Sequence, residues 1–178
     1  DFLNLITEKT KGILICNPNN PTGYVYSRDE IKTLVEIVKK HNLFLIADEV
    51  YREFTYENAY HTSILEFNEI QENAIVIDSV SKRYSMCGAR IGCIISKNAE
   101  FISTAMKFAQ ARLSPPTLAQ IASTAAMDVG EEYFDSVINE YNERRKTLIK
   151  GLNEIPGVKV SIPNGAFYCV VELPVKNS

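Results

Sequence analysis

Three short apolar runs in the first half of the chain constrain the fold most: Gly12–Cys16, Leu43–Ala47 and Ala74–Ile77. None alternates with polar residues, which is typical of strands covered on both faces in a parallel sheet. Between the first two, Ser27 and Glu30 have the spacing of a capping box, which predicts a helix to about His41. Strand, helix and strand in this order predict an α/β fold with a doubly wound, mostly parallel sheet.

A fourth strand is predicted at Arg90–Ile95. Only a few residues separate Lys82 from the turn at Arg90. A right-handed crossover between parallel strands needs about a dozen residues or more, so this strand is expected to return antiparallel to the third.

The second half of the chain is mostly helical in pattern. Helices are predicted over residues 99–112, 116–129 and 131–155, followed by a strand, a turn at Pro163–Gly165 and a strand within Val158–Leu173. We place a domain boundary near residue 130, which divides the chain into residues 1–130 and 131–178.

Composition excludes several classes of function. The net charge of −3 argues against a nucleic-acid-binding surface. No apolar run approaches the ~20 residues of a membrane span, so no membrane partner is expected. Two histidines provide no ligand cluster of familiar spacing, so we expect no metal. Cys16 and Cys93 are predicted to be buried reduced thiols of a cytoplasmic protein. The N-terminus has no initiator Met and is interpreted as a cut.

The third apolar run leads directly into a segment with three chemically distinctive residues, Ser79, Lys82 and Arg90. An amine that is partly buried at a strand end loses proton affinity and becomes a nucleophile toward aldehydes. A hydroxyl and a guanidinium together suit a phosphate. An aldehyde that carries a phosphate describes pyridoxal 5'-phosphate. The simpler interpretations are an exposed lysine in a turn and a surface ion pair of Arg90.

Three motifs resemble those of the class I and II, fold type I, aminotransferases. The first is Ser79-x-x-Lys82 with Arg90 eight residues after the lysine. The second is the turn Asn17–Gly23, and the third is the segment Ala47–Tyr51. Their order along the chain also agrees with the family, and a motif counts when its structural context agrees.

The resemblance implies three catalytic residues. Lys82 holds pyridoxal 5'-phosphate as an internal aldimine and later carries the proton between the substrate Cα and the cofactor. Asp48 faces the pyridine nitrogen and keeps it protonated, and Glu49 is the weaker candidate because alternation points it the other way. Tyr51 hydrogen-bonds the phenolic oxygen. From the residues alone, Asp48 could instead cap a turn and Tyr51 could be a core residue.

The remaining cofactor-binding residues follow from the same resemblance. Asn20 joins Tyr51 at the phenolic oxygen, although turn composition alone favours a purely structural asparagine. Ser79 and Arg90 hold the phosphate, and Ser81 is an additional donor.

The activity implied is ping-pong transfer of an amino group from an α-amino acid to a 2-oxo acid, in an aspartate-type or broad-range enzyme that is a homodimer. A pyridoxal-phosphate-dependent carbon–sulfur β-lyase or a cyclopropane-carboxylate synthase shares the cofactor and fold. The ligand-sensing domain of some transcription regulators is an alternative from another class. Penicillin-recognising serine enzymes share Ser-x-x-Lys, but their two partner motifs are absent from this sequence.

By resemblance, the chain corresponds to the second half of the large domain and the start of the α+β small domain. The family's phosphate loop precedes residue 1, and the arginine that binds the substrate carboxylate follows residue 178. The predicted strands near Ile13, Leu45, Val76 and Ile94 lie side by side in that order within a partial sheet. The outer two should be bare apolar edges, and residues 1–178 alone should be inactive.

Overall fold

A four-stranded mixed sheet organises the first half of the chain in the computed structural model, which describes residues 2–176. Its strands follow the order β1, β2, β3, β4. β1 pairs parallel with β2, β2 pairs parallel with β3, and β4 returns antiparallel to β3. This confirms the predicted strand order and the antiparallel fourth strand. The strands are β1 (Gly12–Cys16), β2 (Phe44–Asp48), β3 (Ala74–Ser79) and β4 (Gly92–Ile95).

Four helices lie near their predicted positions, and the short helix Val80–Arg83 was not predicted. The helices are α1 (Arg28–His41), α2 (Val80–Arg83), α3 (Ala99–Arg112), α4 (Thr117–Ala126) and α5 (Glu131–Asn153). Short 3-10 turns occur at Phe2–Leu5, Ile64–Glu66, Asn68–Ile70 and Cys87–Ala89. None of the helices within residues 2–176 has both the length and the apolarity to span a bilayer.

Helix α1 begins and ends as its sequence predicts. The Ser27 side chain accepts a hydrogen bond from the backbone amide of Glu30, whose carboxylate accepts in return from the backbone of Ser27. Asn42 ends the helix in the left-handed conformation, with φ of 49°. The buried face of α1 packs against the sheet in one apolar core, whose members include Ile31, Val38, Ile13, Leu45 and Val76.

The outer strands of the sheet expose apolar side chains. β1 exposes 68% of Leu14, and all four residues of β4 are exposed, with Ile94 at 50%. The prediction of bare apolar edges is therefore confirmed. Cys93 lies on β4 and is exposed, so its predicted burial is wrong. The apolar pattern of β4 is that of a buried strand, but a strand is buried only where another element lies against it.

The segment after α5 is less regular than predicted. The expected pair of strands is limited to two residues each, β5 (Lys159–Val160) and β6 (Val171–Glu172), which pair antiparallel. The residues between them dock elsewhere. The backbone amides of Asn164 and Gly165 both donate to the carbonyl of Gly23, each at 2.9 Å. Contacts with the first half of the chain thus replace a longer hairpin.

Candidate active site

The carboxyl ends of the three parallel strands meet at one edge of the sheet. Cys16 at the end of β1 is in register with Asp48 at the end of β2. The backbone amide of Asn17 donates to the carbonyl of Asp48 at 2.9 Å, and that of Glu49 donates to the carbonyl of Ile77 in β3 at 3.0 Å. The loops that follow these strands therefore begin side by side, where ligands of open α/β sheets bind.

The Asn-Pro turn after β1 is held by its first two asparagines. Asn17 is 1% exposed, and its side-chain oxygen accepts from the backbone amide of Tyr26 at 3.0 Å. The side-chain oxygen of Asn19 accepts from the amide and the hydroxyl of Thr22. Asn20 is exposed, and its side chain makes no hydrogen bond to any residue from 2 to 176. Since its neighbours maintain the turn, the Asn20 amide remains available to a ligand.

Asp48 is half-buried at the end of β2. One of its carboxylate oxygens, Oδ1, accepts from the backbone amide of Val50 at 3.1 Å, as expected of a residue that caps the following turn. Its side chain forms no ion pair within the described part of the chain. The other oxygen is therefore free to accept from a ligand.

The neighbouring carboxylate, Glu49, has a different environment. It is 1% exposed, and its Oε1 atom accepts from the Ser63 hydroxyl at 3.1 Å and the Ile64 backbone amide at 3.0 Å. The Nε2 atom of His61 lies 3.6 Å from Oε2. Burial raises the pKa of Glu49 and lowers the pKa of His61 to about 4. The Glu49 carboxylate thus forms its hydrogen bonds with the 61–64 loop, whereas the Asp48 carboxylate does not.

Lys82 lies against aromatic rings. It belongs to α2, directly after β3, and its Nζ atom is 5.7 Å from the ring centroid of Tyr51 and 5.6 Å from that of Phe167. Tyr51 is 3% exposed. Among residues 2–176 no carboxylate forms an ion pair with Lys82. A half-buried amine against aromatic faces, without a fixed anion, is accessible to an electrophile.

Two serines and an arginine are grouped at the start of α2. The Ser79 hydroxyl lies 2.7 Å from the Ser81 hydroxyl and 2.8 Å from the carbonyl of Ile91, and it accepts from the Ser81 backbone amide at 3.0 Å. Arg90 precedes Ile91 and is exposed. Its guanidinium donates to the carbonyl of Cys87 at 3.0 Å and forms no ion pair with any described residue. The guanidinium is thus free to bind an anion.

Arg90 has a disfavoured backbone conformation. Its φ is 55°, in the left-handed region that residues other than glycine rarely adopt. Such a conformation costs on the order of 1–3 kcal/mol and persists only where its surroundings enforce it. Here the left-handed conformation of Arg90 redirects the chain from the 3-10 helix Cys87–Ala89 into β4. This keeps Arg90 close to the start of α2.

A network of four charged residues connects the Tyr51 turn to the Lys82 helix. Arg83 approaches Glu53 at 2.7 Å and Asp78 at 2.9 Å. Arg52 approaches the same two carboxylates, each at 3.0 Å. Because these arginines directly follow Tyr51 and Lys82 in sequence, their shared carboxylates hold the two segments together. Sequence reasoning missed this network, since nothing local distinguishes these charges from a solvated face.

Phe167 and Tyr168 were also missed. The Tyr168 hydroxyl lies 2.7 Å from that of Tyr51, although the two residues are 117 positions apart. The Phe167 ring packs edge-on against Tyr51, with centroids 5.1 Å apart. No periodicity or spacing in the sequence indicates so distant a contact. The one sequence signal for these two residues is the pair of adjacent aromatic residues shortly after Gly165.

No group of three or more His, Cys, Asp and Glu side chains within residues 2–176 could hold a metal ion. The predicted residues divide into three local groups. Asp48, Tyr51 and Lys82 surround the ends of β2 and β3. Ser79 and Ser81 lie at the start of α2, and Arg90 directly precedes Ile91, whose carbonyl accepts from Ser79. Asn20 lies on the loop after β1.

Known proteins resemble this chain in sequence and in fold. The sequence profile of the family described as aminotransferase class I and II matches residues 1–178. The aspartate aminotransferase of Bacillus sp. (strain YM-2) is 37% identical over 172 residues, which are 96% of this chain and 44% of that protein.

Solved structures give the same result. The aspartate aminotransferase from Rhizobium meliloti superposes with a TM-score of 0.89 at 27% identity, over 96% of this chain and 43% of that one. The alanine aminotransferase from Pyrococcus furiosus superposes with a TM-score of 0.86 at 31% identity, over 100% of this chain and 46% of that one. The chain therefore spans less than half the length of these relatives.

Proposed function

Since this chain belongs to the aminotransferase class I and II family, we propose that its full gene product transfers an amino group from an α-amino acid to a 2-oxo acid with pyridoxal 5'-phosphate. The position of Lys82 carries the proposal. Its amine lies at the end of a parallel strand, against two aromatic rings and without an ion pair among the described residues. An aspartate-type or broad-range preference is proposed because the relatives above are named for aspartate and for alanine.

The donor set fits the cofactor. Ser79, Ser81 and Arg90 provide two hydroxyls and an unpaired guanidinium for the phosphate dianion. The free oxygen of Asp48 accepts from the pyridine nitrogen, and the carboxylate holds a proton there. When bound, the cofactor ring supplies an electron sink for the electron pair left after the substrate loses its Cα proton.

Three side chains complete the proposed chemistry. The Lys82 amine would hold the cofactor through its aldehyde and, once freed, would carry the proton at the substrate Cα. Tyr51 and Asn20 donate to the phenolic oxygen, which fixes the plane of the ring. Burial raises the pKa of Tyr51 and keeps its phenol protonated as a donor.

Covalent labelling tests the lysine. Borohydride reduction of the loaded full gene product, followed by peptide mapping, should place the cofactor on Lys82. Lys82→Ala should abolish transamination with the fold retained, and the exposed Lys97→Ala is the matched control that should keep full activity. A label on Lys97, Lys11 or another lysine contradicts the assignment.

Substitution of the two adjacent carboxylates tests the electron sink. Asp48→Asn should slow removal of the Cα proton far more than it weakens cofactor binding, because it removes the charge that keeps the pyridine protonated. Such electrostatic effects amount to several kcal/mol of barrier. Glu49→Gln should instead act mainly on stability, since Glu49 contacts the 61–64 loop. Near-normal turnover in Asp48→Asn would exclude Asp48 as the partner of the pyridine.

The organisation of the whole protein is also a proposal. We propose that residues 1–130 belong to the large cofactor-binding domain, and residues 131–178 to the helix between domains and the start of the small domain. Gly130 is the N-cap of α5, which begins at that boundary. We further propose a cytoplasmic homodimer. All four cysteines are free, which suits a reducing compartment, and exposed Leu118 and Ile121 of α4 provide apolar surface for a partner.

We also propose that residues 1–178 do not catalyse transamination by themselves. Orientation of the reacting groups contributes roughly 7–11 kcal/mol in well-assembled sites, so a site without its carboxylate-binding arginine should lose nearly all its rate. Transaminase assays of the 178-residue chain beside the full gene product test this. Comparable rates would contradict the proposal.

A further inference from the structure

A hydrogen-bonded pair of tyrosines connects the segment after α5 to the proposed site. The hydroxyl oxygens of Tyr51 and Tyr168 are 2.7 Å apart, and the two rings meet edge-on at 5.6 Å. Within residues 2–176, neither hydroxyl has another hydrogen-bond partner. The pair therefore has one hydrogen in the contact and one hydrogen left to donate elsewhere.

Two hydrogen bonds to the backbone of Ala166 hold the segment that carries Tyr168. The amide of Ala166 donates to the carbonyl of Phe54 at 2.8 Å, and the Tyr56 hydroxyl donates to the carbonyl of Ala166 at 2.5 Å. Phe54 and Tyr56 follow Tyr51 in the same turn. The segment that carries Tyr168 is thus attached directly to the segment that carries Tyr51.

Ring packing adds to this attachment. The ring of Phe167 stacks on Tyr141 of α5 with centroids 4.9 Å apart and meets Phe54 edge-on at 5.3 Å. Aromatic pairs of this kind contribute beyond their buried area. Tyr168 therefore reaches Tyr51 from a position that the backbone and the neighbouring rings both determine.

We propose that Tyr168 is a positioning residue for Tyr51: its hydroxyl donates to the Tyr51 oxygen and leaves the Tyr51 proton for the phenolic oxygen of the cofactor. The proposal rests on the proposed function, because it requires Tyr51 to face that oxygen. A hydroxyl has one proton but can accept as well as donate. If Tyr51 donated to Tyr168 instead, it would have no proton for the cofactor.

The arrangement has two consequences. A phenol that accepts one hydrogen bond becomes a stronger donor in the next, because neighbouring hydrogen bonds polarise one another. The rotation of the Tyr51 hydroxyl is also restricted, so its proton points away from Tyr168. Tyr168 thereby makes the electronic properties of the cofactor depend on how the segment after α5 is docked.

The visible absorbance of the bound cofactor, titrated against pH in the full gene product, tests the proposal. A donor to the phenolic oxygen stabilises the deprotonated chromophore, so its loss raises the chromophore pKa. Tyr51→Phe should raise this pKa. Tyr168→Phe should raise it in the same direction by roughly a tenth to a third of the Tyr51→Phe shift, because it weakens the hydrogen bond from Tyr51 without removing it. The double variant should shift no further than Tyr51→Phe alone.

Tyr141→Phe is the matched control. It removes a hydroxyl from the same aromatic cluster, and that hydroxyl makes no hydrogen bond within residues 2–176, so the chromophore pKa should not change. The other titratable groups around Tyr51 are Asp48, Cys16 and Lys82, and they are the same in every variant. Near-ultraviolet circular dichroism of each variant verifies that the aromatic cluster is intact.

Three outcomes overturn the proposal. If Tyr51→Phe shifts the pKa and Tyr168→Phe does not, Tyr168 does not position Tyr51, while the proposed function stands. If Tyr141→Phe shifts it as much as Tyr168→Phe, the effect comes from general packing. If neither Tyr51→Phe nor Tyr168→Phe shifts it, Tyr51 does not face the cofactor and the positioning role fails with it. Labelling of Lys82 tests the proposed function separately from all three.

Discussion

Two helices of equal length, α1 and α3, differ completely in burial. Each has 14 residues and a side-chain N-cap, Ser27 for α1 and Asn98 for α3. The buried residues of α1 are Ile31, Leu34, Val35, Ile37 and Val38, whereas α3 has none. A local N-cap signal starts each helix. Burial depends instead on whether an apolar surface lies opposite, as the sheet does for α1.

Truncating one apolar residue in each helix should give the largest difference in the loss of unfolding free energy between α1 and α3. In the 178-residue chain, Leu34→Ala should lower the free energy of unfolding by about 2–5 kcal/mol, because Leu34 is 3% exposed in the core. Met106→Ala in α3 should change it by less than about 0.5 kcal/mol, since Met106 is 53% exposed. Urea denaturation at two protein concentrations measures both. Equal losses would show that self-association covers α3 in solution.

The same contrast explains how much of the fold the sequence predicts. Apolar runs, the capping box and the short connection before β4 are local signals, and they yield the strands, the antiparallel return of β4 and the limits of α1, whereas the order of the strands followed from the family resemblance. The exposure of Cys93 was missed because an apolar strand looks the same at an open edge as in a covered sheet. The short β5 and β6 were missed because residues 164–166 bond to Gly23 and Phe54, contacts that no local pattern encodes.

The candidate site divides in the same way. Asp48 and Ser79 end strands and Lys82 follows one closely, so a distinctive side chain at a strand end was enough to single them out, and the family resemblance supplied their roles. Tyr168 and the carboxylates that join Arg52 to Arg83 act through tertiary contacts. The roles of such residues can be identified only from the folded structure.

Helix α5 is an intermediate case, because its one buried residue is polar. Arg145 is 8% exposed and donates to Asn142, to the carbonyl of Pro163 and to Glu57. Arg145→Ala should cost about 1.5–3 kcal/mol, the range for hydrogen bonds to charged groups. Arg145→Lys should recover only part of this loss, since an ammonium lacks the planar fork that reaches several acceptors.

The adjacent Arg144→Ala is the matched control for Arg145→Ala. Arg144 pairs with Glu140 one turn away, and the two side chains are 66% and 60% exposed. Its loss should cost no more than about 0.5 kcal/mol. Urea denaturation of Arg145→Ala, Arg145→Lys and Arg144→Ala measures the three losses of stability. Equal effects at positions 144 and 145 would mean that Arg145 does not join α5 to the rest of the chain.

Burial in the region of β2 also predicts a pH dependence. The pKa of His61 is lowered from its ordinary 6.5 to about 4, first by burial and then by Arg52. Between these values the unfolded chain takes up a proton at His61 and the folded chain does not. This residue therefore makes the free energy of unfolding fall as the pH is lowered from 6.5 to 4, by at most ~1.4 kcal/mol per pH unit.

A pair of histidine variants isolates this contribution. His61→Gln should flatten the fall in stability over that pH range relative to the unmodified chain, whereas His41→Gln, at the exposed end of α1, should not. Glu49 acts in the opposite direction, because its raised pKa makes the folded chain bind a proton more readily. The free energy of unfolding, measured by urea denaturation, is therefore compared between the variants at each pH. An unchanged slope in His61→Gln would show that His61 is not buried in its neutral form.

The smallest expected losses of stability come from removing the side-chain N-caps of α1 and α3. Ser27→Ala removes the acceptor of the Glu30 backbone amide, and Asn98→Ala removes that of the Phe101 amide, which is bonded at 2.8 Å. Each loss should cost about 1 kcal/mol within its helix. Because α1 is packed on the sheet, the Ser27 variant should lower the stability of the whole core, whereas α3 can fray without exposing a buried face. Amide hydrogen exchange separates the two results: protection should fall throughout β1, β2 and α1 for Ser27→Ala, but only within α3 for Asn98→Ala. A global loss of protection in Asn98→Ala would mean that α3 folds cooperatively with the sheet despite its exposure.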